Sequence, residues 1–380
     1  MKGKRVGILT LPLINNYGGI LQAYALKEVL RKNGYETLLI DYRKNKISKK
    51  NSLNMAIRNF IKKTILKYKK LEPAVTPTIQ SEISRNAKDF VSRELGKKTK
   101  PIYDFSELKK LNYEVDIFVV GSDQVWRPEY TPNIRRYFFD FVDEGKKVIS
   151  YAASFGTDTW GFTNEEFKDC KVNLSKFNAL SVREKSAIDI MHDKFGVTSE
   201  LVLDPTMLLS KSDYLDLINK YNEQKNKGNL FCYILDKNEF SISVIKKIST
   251  KLGLEPFEVK PKAIDYNYKK GSEEYIYPFM TKWIRAFYDS EYVIVDSFHG
   301  CVFSIIFNKP FIAIGNVKRG LARFKSLLSL FDLEDRLILN SEKFNESLIE
   351  HSYNWDAVNK KVFYLQKKSS KFIFDNIKDE

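Results

Sequence analysis

The chain opens with an alternation that restricts its fold at once. Lys4–Leu11 (KRVGILTL) is a nearly continuous apolar run, Ile20–Lys32 (ILQAYALKEVLRK) repeats apolar residues at helical spacing, and Glu36–Asp41 (ETLLID) is apolar again. Asn33-Gly34 separates the helical stretch from the second run, as expected where a helix stops. Strand, helix and strand joined this tightly predict a βαβ unit, which commits both strands to one parallel sheet.

The pattern recurs. VDIFVVGSD (Val115–Asp123), KVISYAASFG (Lys147–Gly156) and ALSVRE (Ala179–Glu184) each read as a strand running into a polar or glycine-bearing turn. ELVLDPTMLL (Glu200–Leu209) reads as a further strand, and the polar stretch Asn219–Asn229 (NKYNEQKNKGN) as a linker. A second series follows: NLFCYILD (Asn229–Asp236), a helix near Ser241–Leu252, EPFEVK, a helix near Ile276–Tyr288, YVIVDS and PFIAIG. A helix over Trp355–Asp379 closes the chain. At 380 residues the sequence is too long for one ordinary core. It predicts an α/β protein of two open Rossmann-like domains facing a cleft. The first spans residues 1–219, with a basic helical insertion at about 43–110, and the second spans 220–380, its last helix able to fold back on the first. Ligands of such folds sit where strand carboxyl ends face the cleft.

The net charge of +15 suggests nucleic acid until it is located. Between Arg43 and Lys70 stand eleven Lys/Arg and no Asp/Glu. Within that stretch Leu53, Ile57, Phe60, Ile61, Thr64, Ile65 and Tyr68 recur at helical spacing, with Lys62, Lys63, Lys67 and Lys70 largely elsewhere. This predicts a basic amphipathic helix, either solvated on its own domain or lying on an anionic membrane surface. No aromatic-rich basic groove accompanies the charge, so no nucleic-acid partner is expected. No apolar run reaches the roughly 18–20 residues that span a bilayer. The start (MKGKRVGILTLPLINN) resembles a leader but lacks a small-residue cleavage site, so a first strand is expected there. Cys170, Cys232 and Cys301 are odd in number and widely spaced. They predict neither disulfide framework nor zinc site, and a cytoplasmic setting, peripheral to the inner membrane face if the basic helix binds lipid.

Four turns at strand ends carry candidate chemistry. Asn15-Asn16-Tyr17-Gly18-Gly19 opens the first helix, where glycines admit a ligand to the backbone and free N–H groups favour an anion. Asp41 ends the next strand, but the G-x-G-x-x-G spacing of a dinucleotide site is missing, which argues against NAD or FAD. A plain tight turn is the alternative. At Gly121-Ser122-Asp123-Gln124-Val125-Trp126 a carboxylate, an amide and an indole suit a polyhydroxylated ligand, unless Asp123 serves the turn and Trp126 the core. Arg183, in Ser181–Ser186 (SVREKS), is placed to grip a carboxylate or phosphate through two parallel hydrogen bonds, or simply to pair with Glu184. In Asp296-Ser297-Phe298-His299-Gly300, Asp296 and Ser297 can cap a helix beginning near Gly300. That leaves His299 at the mouth of an anion site, or as a buried structural histidine.

Taken in order, NNYGGILQAYAL, GSDQVW, YAASFG, SVREKS, LDPTMLL and DSFHGCVFSIIFNKPFIAI resemble the polysaccharide pyruvyl transferase family along nearly the whole chain. The series is specific; no single member is. The resemblance implies a GT-B-like fold and transfer of the enolpyruvyl group of phosphoenolpyruvate to a sugar, often as a cyclic ketal. Phosphoenolpyruvate is then a co-substrate, with no cofactor and no metal. It implies Arg183, Ser297, His299, Gly300 and Arg319 on the donor side, and Asn15, Asn16, Tyr17, Gly18, Gly19, Asp123, Gln124 and Trp126 on the acceptor side. His299, Arg183 and Asp123 are the implied catalytic set. Many relatives carry Arg where this chain has Ser297, so another cation, such as Arg319 or Arg323, must supply that charge, or the donor is held differently. A polyprenyl-linked sugar of a capsule or exopolysaccharide repeat unit is the implied acceptor. A nucleotide-sugar glycosyltransferase of the same fold, and a non-catalytic membrane-associated scaffold of polysaccharide assembly, remain as alternatives.

Overall fold

Strand β1 (Arg5–Leu9) lies between β2 (Glu36–Ile40) and β3 (Ile117–Val120), and β4 (Lys147–Ser150) follows, all parallel in the order β2-β1-β3-β4. The computed structural model describes residues 4–44, 57, 74–265, 267–316, 320–339, 344–350 and 353–378. Apart from Ile57, the expected basic helix Leu53–Tyr68 lies outside these residues, as does Arg319.

Burial explains why β3 reads as an uninterrupted apolar run: helices cover both faces of a parallel sheet, and all four β3 residues are buried. Helix Tyr17–Lys32 makes the crossover from β1 to β2, with Asn16 as its N-cap and Arg31 and Lys32 in its last turn. Isolated bridges Ile149–Ala179 and Ala153–Val182 extend the sheet toward the short pair β5 (Ser181–Val182) and β6 (Glu200–Leu201).

The second sheet is parallel too, in the order β11-β10-β9-β7-β8. Its strands are β7 (Leu230–Tyr233), β8 (Pro256–Phe257), β9 (Tyr292–Val295), β10 (Phe311–Ile314) and β11 (Leu337–Ile338). This two-sheet α/β architecture is the GT-B-like one expected from the sequence. One apolar cluster runs through both halves, joining Ile20, Leu21 and Tyr17 of the first to Trp283, Phe287 and Phe303 of the second. Tyr17 stacks on Trp283 at 5.5 Å between ring centroids. Helix Trp355–Ile377 returns to the first half, where Ser369 Oγ accepts from Leu203 N at 2.9 Å.

Two expected strands are shorter in the structure. The run Glu200–Leu209 stops at Leu201, and Pro205–Leu208 forms a single 3-10 turn. Pro205 has no N–H for a ladder, and Asp204 caps the turn by accepting from Thr206 N at 3.0 Å. The run Lys147–Gly156 stops at Ser150, because the chain turns at Ala152 with φ at +50°. Among the described residues no helix is long and apolar enough to cross a membrane.

Candidate active site

Most of the singled-out turns converge where strand ends of the two sheets meet, with Asp204 at the centre. Its side chain has no exposed surface. Oδ2 accepts from Arg183 Nη1 at 2.7 Å and from Ser122 Oγ at 2.8 Å. Oδ1 accepts from Thr206 Oγ1 at 2.7 Å. Burial alone pushes this carboxyl's pKa up, but His299, Arg183 and Thr206 outweigh it and hold it well below the usual carboxylate range. Asp204 is therefore a fixed buried anion. The motif LDPTMLL does not by itself reveal this role for Asp204, because Ser122, Arg183 and His299 lie far away in the chain.

His299 reaches this anion from the other half. Its Nε2 lies 3.4 Å from Asp204 Oδ2, without a well-aligned hydrogen bond. Ser297 Oγ accepts from Gly300 N at 3.1 Å and so starts helix Phe298–Ile306, which places His299 in its first turn. Gly300 is required there, since a Cβ would fall 2.7 Å from the Val295 side chain. The imidazole lies against Gly18, where a Cβ would fall 2.0 Å from Nδ1. Glycine at the head of the first helix thus opens the space that the histidine fills. Asp296 has a different task from the expected cap: its carboxylate accepts from Leu235 N at 2.8 and 2.9 Å and from Asp236 N at 2.8 Å.

Arg183 is buried, its guanidinium turned toward the protein's own acids. Nη1 serves Asp204 and Ser122, and Nη2 lies 3.5 Å from Asp123 Oδ1. Burial would lower its pKa, but Asp204, Asp123 and Glu184 raise it, so it stays charged. Glu184 Oε1 accepts from Ser154 Oγ at 2.8 Å and from the backbone N–H groups of Phe155 and Gly156 at 3.0 and 3.2 Å. The SVRE and YAASFG motifs therefore form one bonded unit.

Asp123 has φ at +77°, a left-handed conformation that a non-glycine residue adopts at some cost. Its Oδ1 accepts from Gln124 N at 2.9 Å, and its Oδ2 accepts from the exposed Asn16 at 3.4 Å. Asn15 is half-buried beside Asn16. Gly19 belongs to the same edge, since a Cβ on it would lie 3.0 Å from Asp123 Oδ2. Gln124 Oε1 accepts from Arg127 Nη1 at 3.1 Å.

Two acceptor-side expectations need correction. Trp126 is 0% exposed, donates from Nε1 to Tyr137 O at 3.2 Å and stacks on Phe138. It is a core residue and cannot cover a sugar face. Tyr17 is 2% exposed, and its hydroxyl donates to Pro278 O at 2.9 Å. It joins the two halves.

Chemically, the arrangement offers an imidazole, two guanidiniums (Arg183 and, from helix Ala322–Leu330, Arg323) and three carboxylates (Asp123, Glu184, Asp204), all at most 10% exposed in their residue totals. Groups this desolvated interact far more strongly than in water.

The sequence matches no curated protein. Similar solved structures include a putative UDP-N-acetylglucosamine 2-epimerase from Listeria monocytogenes, at 12% identity and TM-score 0.49, covering 98% of this chain and 95% of that one. Another is the apo UGT2 of Phytolacca americana, at 10% identity and TM-score 0.43, covering 97% and 94%. Residues 16–318 match the family model of the polysaccharide pyruvyl transferases. That span takes in the Asn16 cap, Asp123, Arg183, Asp204 and His299, and the chain belongs to the polysaccharide pyruvyl transferase family.

Proposed function

We propose that the protein transfers the enolpyruvyl carbons of phosphoenolpyruvate to a sugar of a polysaccharide repeat unit, closing them as a cyclic ketal and releasing phosphate. The observation that carries this reading is the junction of His299 with Asp204, an imidazole from one half held 3.4 Å from a buried carboxylate of the other. Catalytic hydrogen bonds are often long before substrate arrives. Arg183 and Arg323 stand in the same junction and suit a donor that carries both carboxylate and phosphate.

The reaction needs a proton delivered to C3 of phosphoenolpyruvate, which turns its methylene into a methyl and makes C2 electrophilic. A sugar hydroxyl attacks C2, and its proton passes to a base. The C2–O bond to phosphate then breaks, and the electron pair leaves with phosphate. The second hydroxyl bonds to C2, and its proton goes to the departing phosphate. His299 is the group suited to move protons near neutral pH. Asp123, beside the exposed Asn16, suits the acceptor hydroxyls. Fixed charges facing the departing phosphate supply preorganised stabilisation.

The acceptor is proposed to be polyprenyl-linked, so that the enzyme works at the inner face of the membrane. Eleven cations without an acid between Arg43 and Lys70 support this. Incubation with carbon-labelled phosphoenolpyruvate and a panel of glycosides tests the transfer. Label should enter the sugar with one phosphate released per transfer, and label that enters only from nucleotide sugars overturns the reading.

A further inference from the structure

Trp126 is locked in the core, so a polyhydroxylated acceptor beside GSDQVW needs another aromatic surface. Further along the same segment, Tyr130 is 45% exposed. It closes the 3-10 turn Pro128–Tyr130, and its N–H donates to Arg127 O at 3.1 Å. The Arg127 guanidinium lies 4.3 Å from the centroid of the Tyr130 ring. The same guanidinium donates from Nε to Glu129 Oε2 at 2.7 Å and from Nη1 to Gln124 Oε1 at 3.1 Å. Stacking on a guanidinium fixes a ring that would otherwise turn freely at the surface. The exposed ring is therefore held before any ligand arrives, which lowers the ordering cost of binding.

A scattered exposed aromatic needs no explanation, but this one is continuous with the candidate active site. Gln124 follows Asp123, whose Oδ1 accepts from its N–H at 2.9 Å. The Gln124 side chain covers Gly156, where a Cβ would fall 2.0 Å from Oε1. Gly156 O in turn meets the second half, since a Cβ on Gly320 would fall 2.0 Å from it. Tyr130 is among the groups that raise the Arg323 pKa, so it is within electrostatic reach of that half as well. Residues 123–130 thus run from the junction of the halves to the surface. Trp160 differs, because its ring is packed among Phe162, Phe167 and Phe195.

We propose that the ring of Tyr130 is the platform on which a sugar of the acceptor stacks, with Arg127 and Glu129 meeting its hydroxyls. This rests on the reading of the acceptor as a sugar. A pyranose turns axial C–H bonds to one face, and these pack on the electron-rich face of an aromatic ring. A guanidinium donates to hydroxyls at the rim of the sugar, and an exposed carboxylate accepts from them. Tyr130 then decides which hydroxyls reach Asp123, and it bears on acceptor choice rather than on the chemical step.

Saturation-transfer NMR of the full chain with the methyl glycosides of glucose, galactose and mannose tests this. Wild type should bind at least one of them, with the ring C–H protons saturated more strongly than the methyl group. Tyr130→Ala should weaken that binding about tenfold or more, and Tyr130→Phe should stay within about threefold of wild type. Tyr130→Leu still fills the space over Arg127 but has no π face, so it should lose binding as alanine does. All of these variants should melt within a few degrees of wild type, because the site is exposed. A Tyr130→Ala or Tyr130→Leu protein that binds the glycoside as wild type does overturns the platform alone. A wild type that binds none of the glycosides overturns the reading of the acceptor as a sugar, and the platform with it.

Discussion

His299 Nε2 stands 3.4 Å from Asp204 Oδ2 across the boundary between the two halves of the molecule. One residue begins a helix of the second sheet and the other ends a strand region of the first, so neither half holds the pair alone. The packing that brings the sheets together thus also assembles the pair proposed to move protons.

Asp204→Asn removes the buried anion but keeps its shape. Arg183 then loses its 2.7 Å partner and keeps only Asp123 at 3.5 Å and Glu184 at 3.8 Å, and breaking a buried charge pair costs about 3–5 kcal/mol. Folding lowers the Asp204 pKa, so its stabilisation is complete above the ordinary carboxylate value of about 3.9 and is lost as pH falls below it. Urea unfolding should show a large deficit for the variant at pH 7 and a smaller one at pH 3. An equal deficit at both would remove the charge from the account.

Arg183→Lys keeps the charge but cannot serve Asp204 and Asp123 through two separate nitrogens. A loss of about 1–3 kcal/mol in stability is expected, together with a strong fall in turnover as the Asp204 carboxylate shifts. Chemical denaturation beside a turnover assay checks both. A lysine variant of wild-type stability and activity would show that the fork geometry is dispensable.

Gly18→Ala places a methyl 2.0 Å from His299 Nδ1. The ring must move, and turnover should fall by about 10²-fold or more, the range of one misplaced acid–base group. The same change in a His299→Ala background meets no ring. Its cost in melting temperature should then largely vanish, a coupling that a double-mutant cycle reads directly. Equal costs in both backgrounds would place the glycine requirement elsewhere.

Trp126→Phe removes the indole N–H that donates to Tyr137 O. As a core residue it should cost about 0.5–1.5 kcal/mol for the lost bond, with more from repacking. Acceptor KM should stay unchanged in the folded fraction. A raised KM with intact stability would return the indole to the sugar site.

Much of this was legible in the sequence, for physical reasons that vary by residue. The opening βαβ unit could be read because a buried parallel strand such as β1 leaves a nearly continuous apolar run. His299 and Asp123 could be placed at strand ends because Ser297 and the residues of GSDQVW are turn and cap formers. Trp126 was ambiguous, because an indole after a strand serves a ligand or a core equally well, and only the Phe138 stack decides. The end of β6 carried a local signal in Pro205, outweighed by the surrounding apolar run. The role of Asp204 had little local signal: beyond Thr206, two residues on, it follows from Ser122 and Arg183, 82 and 21 residues away.

His299, held against Asp204, is proposed to drive pyruvyl transfer from phosphoenolpyruvate to a sugar. The direct measurement is transfer of carbon label from phosphoenolpyruvate to a glycoside acceptor, with phosphate release followed in parallel, for wild type and His299→Ala. Wild type should give one phosphate per label transferred, and the variant should lose about 10²–10⁴-fold in rate while melting within a few degrees of wild type. A folded His299→Ala protein that transfers label at the wild-type rate, or a wild type that releases no phosphate, would contradict the account.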